Sequence, residues 1–343
     1  MKAVVKARPA YGADFLDMPE PVIKKNELLV KVRATSICGT DVHIYDWNEW
    51  AAARVKPPLV MGHEFAGEVV EVGRDVKGFA VGDSVSGETH IPCHRCEQCR
   101  TGNEHICENV QLRGVDTQGC FAEFVALDES TAWRNDKSIP YEVASAQEPL
   151  GNAVHTVFAG GGVEGKTVAI FGCGPIGILS ATLCRQSGAE KVFAVDISDY
   201  RLKLAQEFGA TSVVNSKLAD PVKEIMSQTN GRGVDVFLEM AGVPETIRQG
   251  LKVIRSGGRA CLLGLPSKPV EIDVSNDIVL KMVELHGIYG RRIFGTWYTV
   301  ASYLRSGKVD LARLITHRYR MSEYQEAFNL MKSGQSGKIV MTP

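Results

Sequence analysis

Two short segments near the start of the chain, "ICGTDVH" and "MGHEF", contain residue types that can bind a metal ion. Cys38, His63 and Glu64 supply a thiol, an imidazole and a carboxylate, and three such ligands on zinc leave a fourth position open for water or substrate. Glu148 in "QEPLGN" is a further candidate of the right type. Each residue also has an ordinary interpretation, as core packing, a loop histidine, a surface charge or a helix cap. Sequence periodicity alone cannot bring them together.

A second group of metal-binding residue types is the segment "CHRCEQCRTGNEHIC". Its cysteines, spaced C-x2-C-x2-C-x7-C, are Cys93, Cys96, Cys99 and Cys107. Four thiolates close a tetrahedral zinc site without an open position, so we predict a structural zinc. An iron–sulfur cluster is the first alternative, but the last spacing and the absence of a proline after the fourth cysteine fit it poorly. A nucleic-acid-binding zinc finger and a coincidental cluster of thiols are the others.

A glycine-rich pattern, "GCGPIG", contains Gly172, Gly174 and Gly177 between a predicted strand and a predicted helix. Such glycines let the backbone approach a pyrophosphate at a helix N-terminus. Asp196 ends the next predicted strand, 19 residues after Gly177. Its carboxylate would accept hydrogen bonds from ribose hydroxyls and repel a 2′-phosphate, which favours NAD over NADP. Arg201 weakens this conclusion, since its guanidinium could pair with that phosphate and so favour NADP. A doubly wound domain without a cofactor is the alternative.

The elements that must position these residues follow from the hydrophobic pattern. The first third is rich in short Val-containing strands such as "ELLVKVRATSI" and "FAGEVVEVG". From about residue 165, short apolar strands alternate with helices, which predicts a parallel sheet with helices on both faces. The tail is predicted to be helical with one last strand and to fold back onto the N-terminal part.

Composition excludes several classes of function. A length of 343 residues is enough for two domains. The net charge of −1 gives no electrostatic reason to expect nucleic acid or an anionic membrane as a partner. No apolar run reaches the roughly 20 residues that span a bilayer, and the N-terminus lacks a secretory signal. We therefore predict a cytoplasmic protein, in which clustered cysteines indicate metal rather than disulfides.

The chain resembles the zinc-dependent medium-chain dehydrogenases through "CGTDVH", "GHEFAGEVVEVG", the four cysteines, "EPLGNAVHT" and "GCGPIG". The resemblance implies an α/β protein with a Rossmann-type doubly wound parallel sheet domain and a β-rich GroES-like catalytic domain. The zinc-binding catalytic domain would comprise residues 1–152 and 293–343, and the NAD-binding domain residues 153–292. The family is commonly tetrameric, which implies a homotetramer.

The same resemblance assigns roles to individual residues. Cys38, His63 and Glu64 would bind the catalytic zinc, and Glu148 matches an acidic residue that assists proton transfer or exchanges as a ligand. Thr40 and His43 match a pair that relays the substrate proton to solvent. The cofactor contacts implied are Ile176, Asp196, Arg201, Leu263, Gly264, Leu265, Ile288 and Tyr289.

More particular segments are "ICGTDVHIYDWNEWA", "GNAVHT", "IYGRRIFGTWY", "ITHR" and "SGQSGK". They resemble the members that oxidise L-threonine at C3 with NAD, and they imply one catalytic and one structural zinc per chain. Another polyol or secondary-alcohol dehydrogenase, such as a sorbitol or butanediol enzyme, would share every zinc and NAD residue and stays an alternative. A catalytically silent NAD-binding protein is a further alternative, but it predicts a missing ligand or relay residue, and none is missing.

Overall fold

The computed structural model describes residues 1–343, which divide into two units. The first unit comprises Met1–Glu148 and Leu311–Pro343, and the second comprises Pro149–Asp310. No helix in either unit is long and apolar enough to cross a membrane.

The strands are β1 (Lys2–Lys6), β2 (Asp14–Asp17), β3 (Glu27–Ser36), β4 (Leu59–Val60), β5 (Glu64–Val72), β6 (Ser84–Gly87), β7 (His90–Ile91), β8 (Gln111–Leu112), β9 (Phe124–Asp128), β10 (Ala132–Arg134), β11 (Thr167–Phe171), β12 (Lys191–Asp196), β13 (Ser212–Asn215), β14 (Val234–Glu239), β15 (Ile254–Leu262), β16 (Glu284–Gly287), β17 (Ile315–Arg320) and β18 (Lys338–Thr342). The helices are α1 (Gly39–Asp46), α2 (Glu49–Arg54), α3 (Glu97–Arg100), α4 (Tyr141–Ser145), α5 (Gln147–Phe158), α6 (Pro175–Gln186), α7 (Asp199–Glu207), α8 (Pro221–Gln228), α9 (Pro244–Val253), α10 (Gly295–Arg305), α11 (Leu311–Leu314) and α12 (Tyr324–Ser333). Short 3-10 turns cover Glu104–Ile106, Glu129–Thr131 and Met321–Glu323, and a π-helical turn covers Val274–Val279.

The first unit is built on a seven-stranded sheet of order β10-β6-β5-β3-β18-β17, in which β9 also pairs with β3. Strands β3 and β5 run antiparallel, and their register places Ser36 opposite Glu64. Ser36 also pairs with Val340 on β18. The end of β3, the start of β5 and strand β18 therefore meet at one place, where the segment after β3 begins α1. Two smaller sheets, β2-β1-β4 and β7-β8, complete the β-structure.

The second unit is a six-stranded sheet of order β13-β12-β11-β14-β15-β16. Every neighbouring pair is parallel. Strands β11 and β14 are buried along their whole length, as expected where helices cover both faces of a sheet. Phe171, Phe193 and Phe237 lie in its core. This arrangement confirms the predicted doubly wound parallel sheet.

The tail differs from the prediction in two respects. It contains two strands, β17 and β18, rather than one, and helix α10 belongs to the second unit. Strand β17, "ITHRYR", lies at the edge of its sheet with most side chains partly or fully exposed, so it lacks the apolar run that marks a buried strand. The assignment of residues 1–152 and 293–343 to a catalytic domain remains a prediction, since compactness does not test what each part binds.

Candidate active site

The three candidate ligands near the start of the chain converge in the first unit. Cys38 immediately precedes α1, and His63 immediately precedes β5, of which Glu64 is the first residue. Their ligand atoms all lie within 4.8 Å of one another. The side chain of Glu64 is fully buried and His63 is 4% exposed. The pairing of β3 with β5 explains the convergence, because it places the segment after Ser36 beside Glu64.

Asp41 connects two of these residues. One of its carboxylate oxygens accepts the backbone N–H of Cys38 at 2.8 Å, and the other lies 3.6 Å from Nδ1 of His63. Burial opposes a charged His63, but the charges of Asp41 and Cys38 outweigh burial and raise the pKa of His63 well above its usual value. A carboxylate beside one ring nitrogen is the usual outer partner of a metal-binding histidine. It leaves Nε2 of His63 as the ligand atom.

Glu64 is held through one oxygen only. Its Oε2 accepts hydrogen bonds from the ammonium of Lys338 and from the hydroxyl of Ser36. Its Oε1 is buried and has no hydrogen-bond partner. Burial raises the pKa of Glu64, with Lys338 opposing and Glu148 adding to the rise. A buried carboxylate oxygen without a donor is costly unless a cation binds it.

Glu148 lies in the same part of the first unit. It is 5% exposed, and its Oε1 accepts a hydrogen bond from the hydroxyl of Thr89 at 2.7 Å. Its negative charge acts on Glu64. The structure therefore brings Glu148 near the three candidate ligands, as an acid held by a threonine hydroxyl.

These residues fit a zinc ion with three protein ligands. A thiol, an imidazole nitrogen and a carboxylate oxygen lie within 4.8 Å of one another, Glu64 has one carboxylate oxygen without a donor, and this donor set suits zinc. Three protein ligands would leave the open position that catalytic zinc sites keep.

The predicted relay pair lies on α1, one turn apart. The hydroxyl of Thr40 is 3.9 Å from Sγ of Cys38, and His43 is exposed. The amide Nδ2 of Asn48 lies 3.1 Å from Nδ1 of His43. Oδ1 of Asn48 accepts the N–H of Ala51 as the N-cap of α2, which assigns the amide orientation. Asn48 therefore donates to His43, and the proton of the neutral ring sits on Nε2.

The four clustered cysteines form a separate site in the segment between β7 and β8. Their sulfurs lie within 4.8 Å of one another, with Sγ of Cys96 at 3.5 Å from Cys99 and 3.8 Å from Cys107. Tetrahedral zinc with Zn–S bonds of about 2.3 Å requires sulfur separations of about 3.8 Å. Backbone amides, chiefly those of Arg95 and Cys96, lower the pKa of Cys93 to about 6. The geometry fits a closed structural zinc.

The glycine-rich loop lies in the second unit, between β11 and α6. Gly172 has φ +98°, and a Cβ there would lie 2.8 Å from the backbone N of Ala241. A Cβ on Gly177 would lie 2.0 Å from the carbonyl oxygen of Gly172. Gly174 has open space around its Cβ position and is the N-cap of α6, without a capping side chain. Two glycines thus permit the turn, and the third leaves room beside the free amides of a helix N-terminus, which fits a pyrophosphate.

Asp196, at the end of β12, is nearly saturated with backbone donors. One oxygen accepts the N–H of Cys173 at 2.7 Å, and the other accepts those of Ile197 and Ser198 at 2.8 and 2.9 Å. A carboxylate offers about four acceptor positions, so about one remains for a ribose hydroxyl. Asp196 also fixes the glycine-rich loop. Arg201 lies in the following helix α7, and its Nε is buried without a hydrogen-bond partner.

The other predicted cofactor contacts follow neighbouring strands of the same sheet. Leu263, Gly264 and Leu265 follow β15, and Ile288 and Tyr289 follow β16. Because the strands are parallel, these segments lie at the same edge as the glycine-rich loop and Asp196. Ile176 lies in the first turn of α6, at that edge as well.

Comparisons with known proteins agree with this geometry. Residues 24–137 match the alcohol dehydrogenase GroES-like domain, and residues 175–306 match the zinc-binding dehydrogenase family. An L-threonine 3-dehydrogenase from Caldanaerobacter subterraneus is 54% identical over 100% of this chain and 99% of its own length. The chain belongs to the L-threonine 3-dehydrogenase family of zinc-binding dehydrogenases. This confirms the family resemblance found in the sequence.

Solved structures show the same family fold. A protein from Sinorhizobium meliloti, provisionally described as a zinc-binding dehydrogenase and solved with NADP, has a TM-score of 0.90 and 31% identity, covering 100% of this chain and 99% of that one. The 2R,3R-butanediol dehydrogenase of Bacillus subtilis has a TM-score of 0.89 and 31% identity, with the same coverage. The predicted pairing of a Rossmann-type domain with a GroES-like domain is confirmed.

Sequence analysis missed the residues that support the ligands. Asp41, Ser36, Thr89 and Lys338 contact Cys38, His63, Glu64 or Glu148, yet none was singled out. For Asp41 and Thr89 the signal was proximity in sequence to a motif, whereas Lys338, the last residue of "SGQSGK", carried no signal of its own.

Proposed function

We propose that the protein oxidises L-threonine at its C3 hydroxyl with NAD, giving 2-amino-3-oxobutanoate and NADH. One observation supports this most: three side chains of zinc-ligand type, two of them buried, place ligand atoms within 4.8 Å of one another, in a chain that matches L-threonine 3-dehydrogenases along its whole length. The proposed zinc ligands are Cys38, His63 and Glu64, and the four clustered cysteines are the proposed ligands of a second, structural zinc.

Zinc bound by these three residues would act as a Lewis acid that makes the substrate hydroxyl more acidic. The protein's own contribution is to hold the ligands. Asp41 orients His63 and the backbone of Cys38, while Ser36 and Lys338 hold Glu64. Such outer contacts reduce the freedom of the ligands and so limit reorganisation during the reaction.

The substrate proton is proposed to leave through Thr40 and His43. Thr40 lies beside Cys38, so its hydroxyl can receive the proton near the metal ligands. His43 is exposed and can pass a proton to water. Its Nδ1 is engaged by Asn48, so proton uptake at Nδ1 requires that this hydrogen bond break. Because the side chains of His43 and Asn48 are both exposed, water competes for the hydrogen bond between them.

The hydride acceptor is proposed to bind at the carboxyl edge of the six-stranded sheet, within residues 153–292. Gly172, Gly174 and Gly177 would accommodate the pyrophosphate, and Asp196 would bind the adenosine ribose. The carboxylate of Asp196 supports NAD over NADP, because it would repel a 2′-phosphate. The remaining contacts proposed are Ile176, Arg201, Leu263, Gly264, Leu265, Ile288 and Tyr289.

A substrate screen tests the proposal. Initial rates of NAD reduction with L-threonine, sorbitol and 2,3-butanediol, each repeated with NADP, should give the highest kcat/KM for L-threonine with NAD. A secondary-alcohol dehydrogenase is the second candidate, supported by the 31% identical butanediol dehydrogenase fold. A higher kcat/KM for butanediol would establish that candidate instead.

We also infer a cytoplasmic homotetramer. Nine free cysteines suit a reducing compartment. A strip of exposed apolar side chains near edge strand β16 supports association between copies, and its members are Val274, Val279, Leu280, Met282 and Leu285. Light scattering at several protein concentrations tests the number of subunits.

A further inference from the structure

Lys338 is a charged side chain in the interior of the first unit. It is 2% exposed, at the first position of β18. Its ammonium donates to the carbonyl oxygen of Ile37 at 2.9 Å and to Oε2 of Glu64. Ile37 is the residue before Cys38, so one ammonium contacts the segments that supply two of the proposed zinc ligands.

The contact with Lys338 makes the two carboxylate oxygens of Glu64 different from each other. Oε2 receives the ammonium of Lys338 and the hydroxyl of Ser36, and Oε1 receives no donor. One carboxylate oxygen of Glu64 lies within 4.8 Å of the ligand atoms of Cys38 and His63, and Oε1 is the oxygen that no donor occupies. Without the two donors both oxygens would be equivalent, and the carboxylate could rotate or present both of them to a metal ion.

We propose that Lys338 is a positioning residue for the open zinc site, which holds Glu64 so that a single oxygen faces the metal. The inference rests on the proposed function only in that Cys38, His63 and Glu64 bind zinc. Removal of an outer partner of a metal ligand commonly lowers metal affinity by about 10- to 100-fold. Lys338→Met should therefore weaken zinc binding at the open site by that factor.

The four-cysteine site supplies a control within the same chain. Zinc affinity is measured on the full-length purified protein by competition with a chelator, and zinc per chain is counted by atomic absorption. Lys338→Met should release the zinc of the open site at lower chelator concentration and leave the four-cysteine zinc unchanged. Equal affinity of the variant and the wild type at the open site would refute the proposal, as would equal losses at both sites, which indicate general loosening.

A double-mutant cycle tests whether Lys338 acts through Glu64. In the Glu64→Gln background the further change Lys338→Met should alter zinc affinity by less than about twofold, because the pair has already been broken. Multiplicative losses would show that Lys338 acts independently of Glu64 and would overturn the proposal. Cobalt substituted for zinc should show a changed visible spectrum in Lys338→Met, which a purely structural role would not produce.

Removing the buried ammonium leaves Glu64 without its charge partner, so Lys338→Met could fail to fold. Lys338→Arg and Lys338→Gln then form the test, since both keep donors but only arginine keeps the charge. Arginine should stay within about threefold of the wild-type zinc affinity, and glutamine should lose about tenfold or more. Equal affinities for the two would refute the proposal. Wild-type protein with zinc only at the four cysteines would refute the proposed active site as well.

Discussion

A pair of glycine substitutions in the loop between β11 and α6 should separate cofactor binding from folding. Gly174 has ordinary backbone angles, φ −66° and ψ 179°, and open space around its Cβ position. Gly177 has no such space, because a Cβ there would lie 2.0 Å from the carbonyl oxygen of Gly172. Gly174→Ala should therefore disturb a ligand at the helix N-terminus, whereas Gly177→Ala should disturb the protein itself.

The magnitudes follow from the geometry. Real Cβ contacts are essentially never shorter than 3.0 Å, so Gly177→Ala requires a backbone shift of about 1 Å. Overpacking of this kind costs about 1–3 kcal/mol, and the upper end applies because a carbonyl oxygen cannot rotate away. At about 2–4 °C per kcal/mol, Tm should fall by about 6–12 °C. Gly174→Ala should change the free energy of unfolding by less than about 1 kcal/mol. It should weaken NAD binding by at least about tenfold, or 1.4 kcal/mol.

Thermal unfolding without cofactor and titration calorimetry with NAD measure the two effects. Gly162→Ala is the matched control, since this glycine also has open space and lies in the second unit. It should change neither quantity. Wild-type NAD affinity in Gly174→Ala would show that the pyrophosphate does not approach this glycine. A wild-type Tm in Gly177→Ala would show that the carbonyl oxygen of Gly172 does not lie so close to the Cβ position of Gly177.

Four further outcomes are expected. The protein should contain about two zinc ions per chain, and mild chelation should remove the zinc at Cys38 first. Oxidation of the substrate should then stop while the circular dichroism spectrum stays unchanged. Full activity with only one zinc per chain would contradict the proposed catalytic site. His43→Ala should keep zinc and NAD binding but lower kcat by about 10²-fold or more, and an unchanged kcat would show that the proton leaves elsewhere. Asp196→Ser should reduce the preference for NAD over NADP in kcat/KM, mainly through better use of NADP, and an unmoved ratio would contradict its role. Although burial opposes the shift, donors that include Thr167 lower the pKa of Asp235 to about 2. The stabilising contribution of the ionised Asp235 is therefore complete above about pH 4 and is lost as the pH falls through about 2. Asp235→Asn should lower the free energy of unfolding by on the order of 2 kcal/mol at pH 7 and hardly at all near pH 2. Equal losses at both pH values would contradict this.

The second unit was largely predictable because its signals are local. A buried parallel strand is a short apolar run, and helices between such runs leave few possible topologies. Strands β16 and β17 gave no such signal. Both lie at sheet edges, with polar and partly exposed side chains, and their pairing depends on neighbours that are distant in sequence.

The candidate active site was predictable only as a set of residue types. Cys38, His63 and Glu64 were identified by their chemistry and by the family resemblance, whereas their proximity results from the register of β3 with β5. Lys338 could not be found in this way, since a lysine before an apolar strand is ordinary in sequence. Only the pairing of β18 with β3 shows that it faces a carboxylate.

The position of Lys338 bears on why the first unit is formed from both ends of the chain. Strand β18 lies between β3 and β17 in the sheet, and its first residue supplies a positive charge to Glu64, which is fully buried. A buried carboxylate that loses its charge partner is strongly destabilising. Residues 1–148 alone would therefore contain all the proposed catalytic zinc ligands but leave Glu64 uncompensated and the end of β3, at Thr35 and Ser36, without its partner strand. The C-terminal segment Leu311–Pro343 supplies both the missing strand and the missing charge, so folding of the first unit and assembly of its metal site depend on the same late part of the sequence.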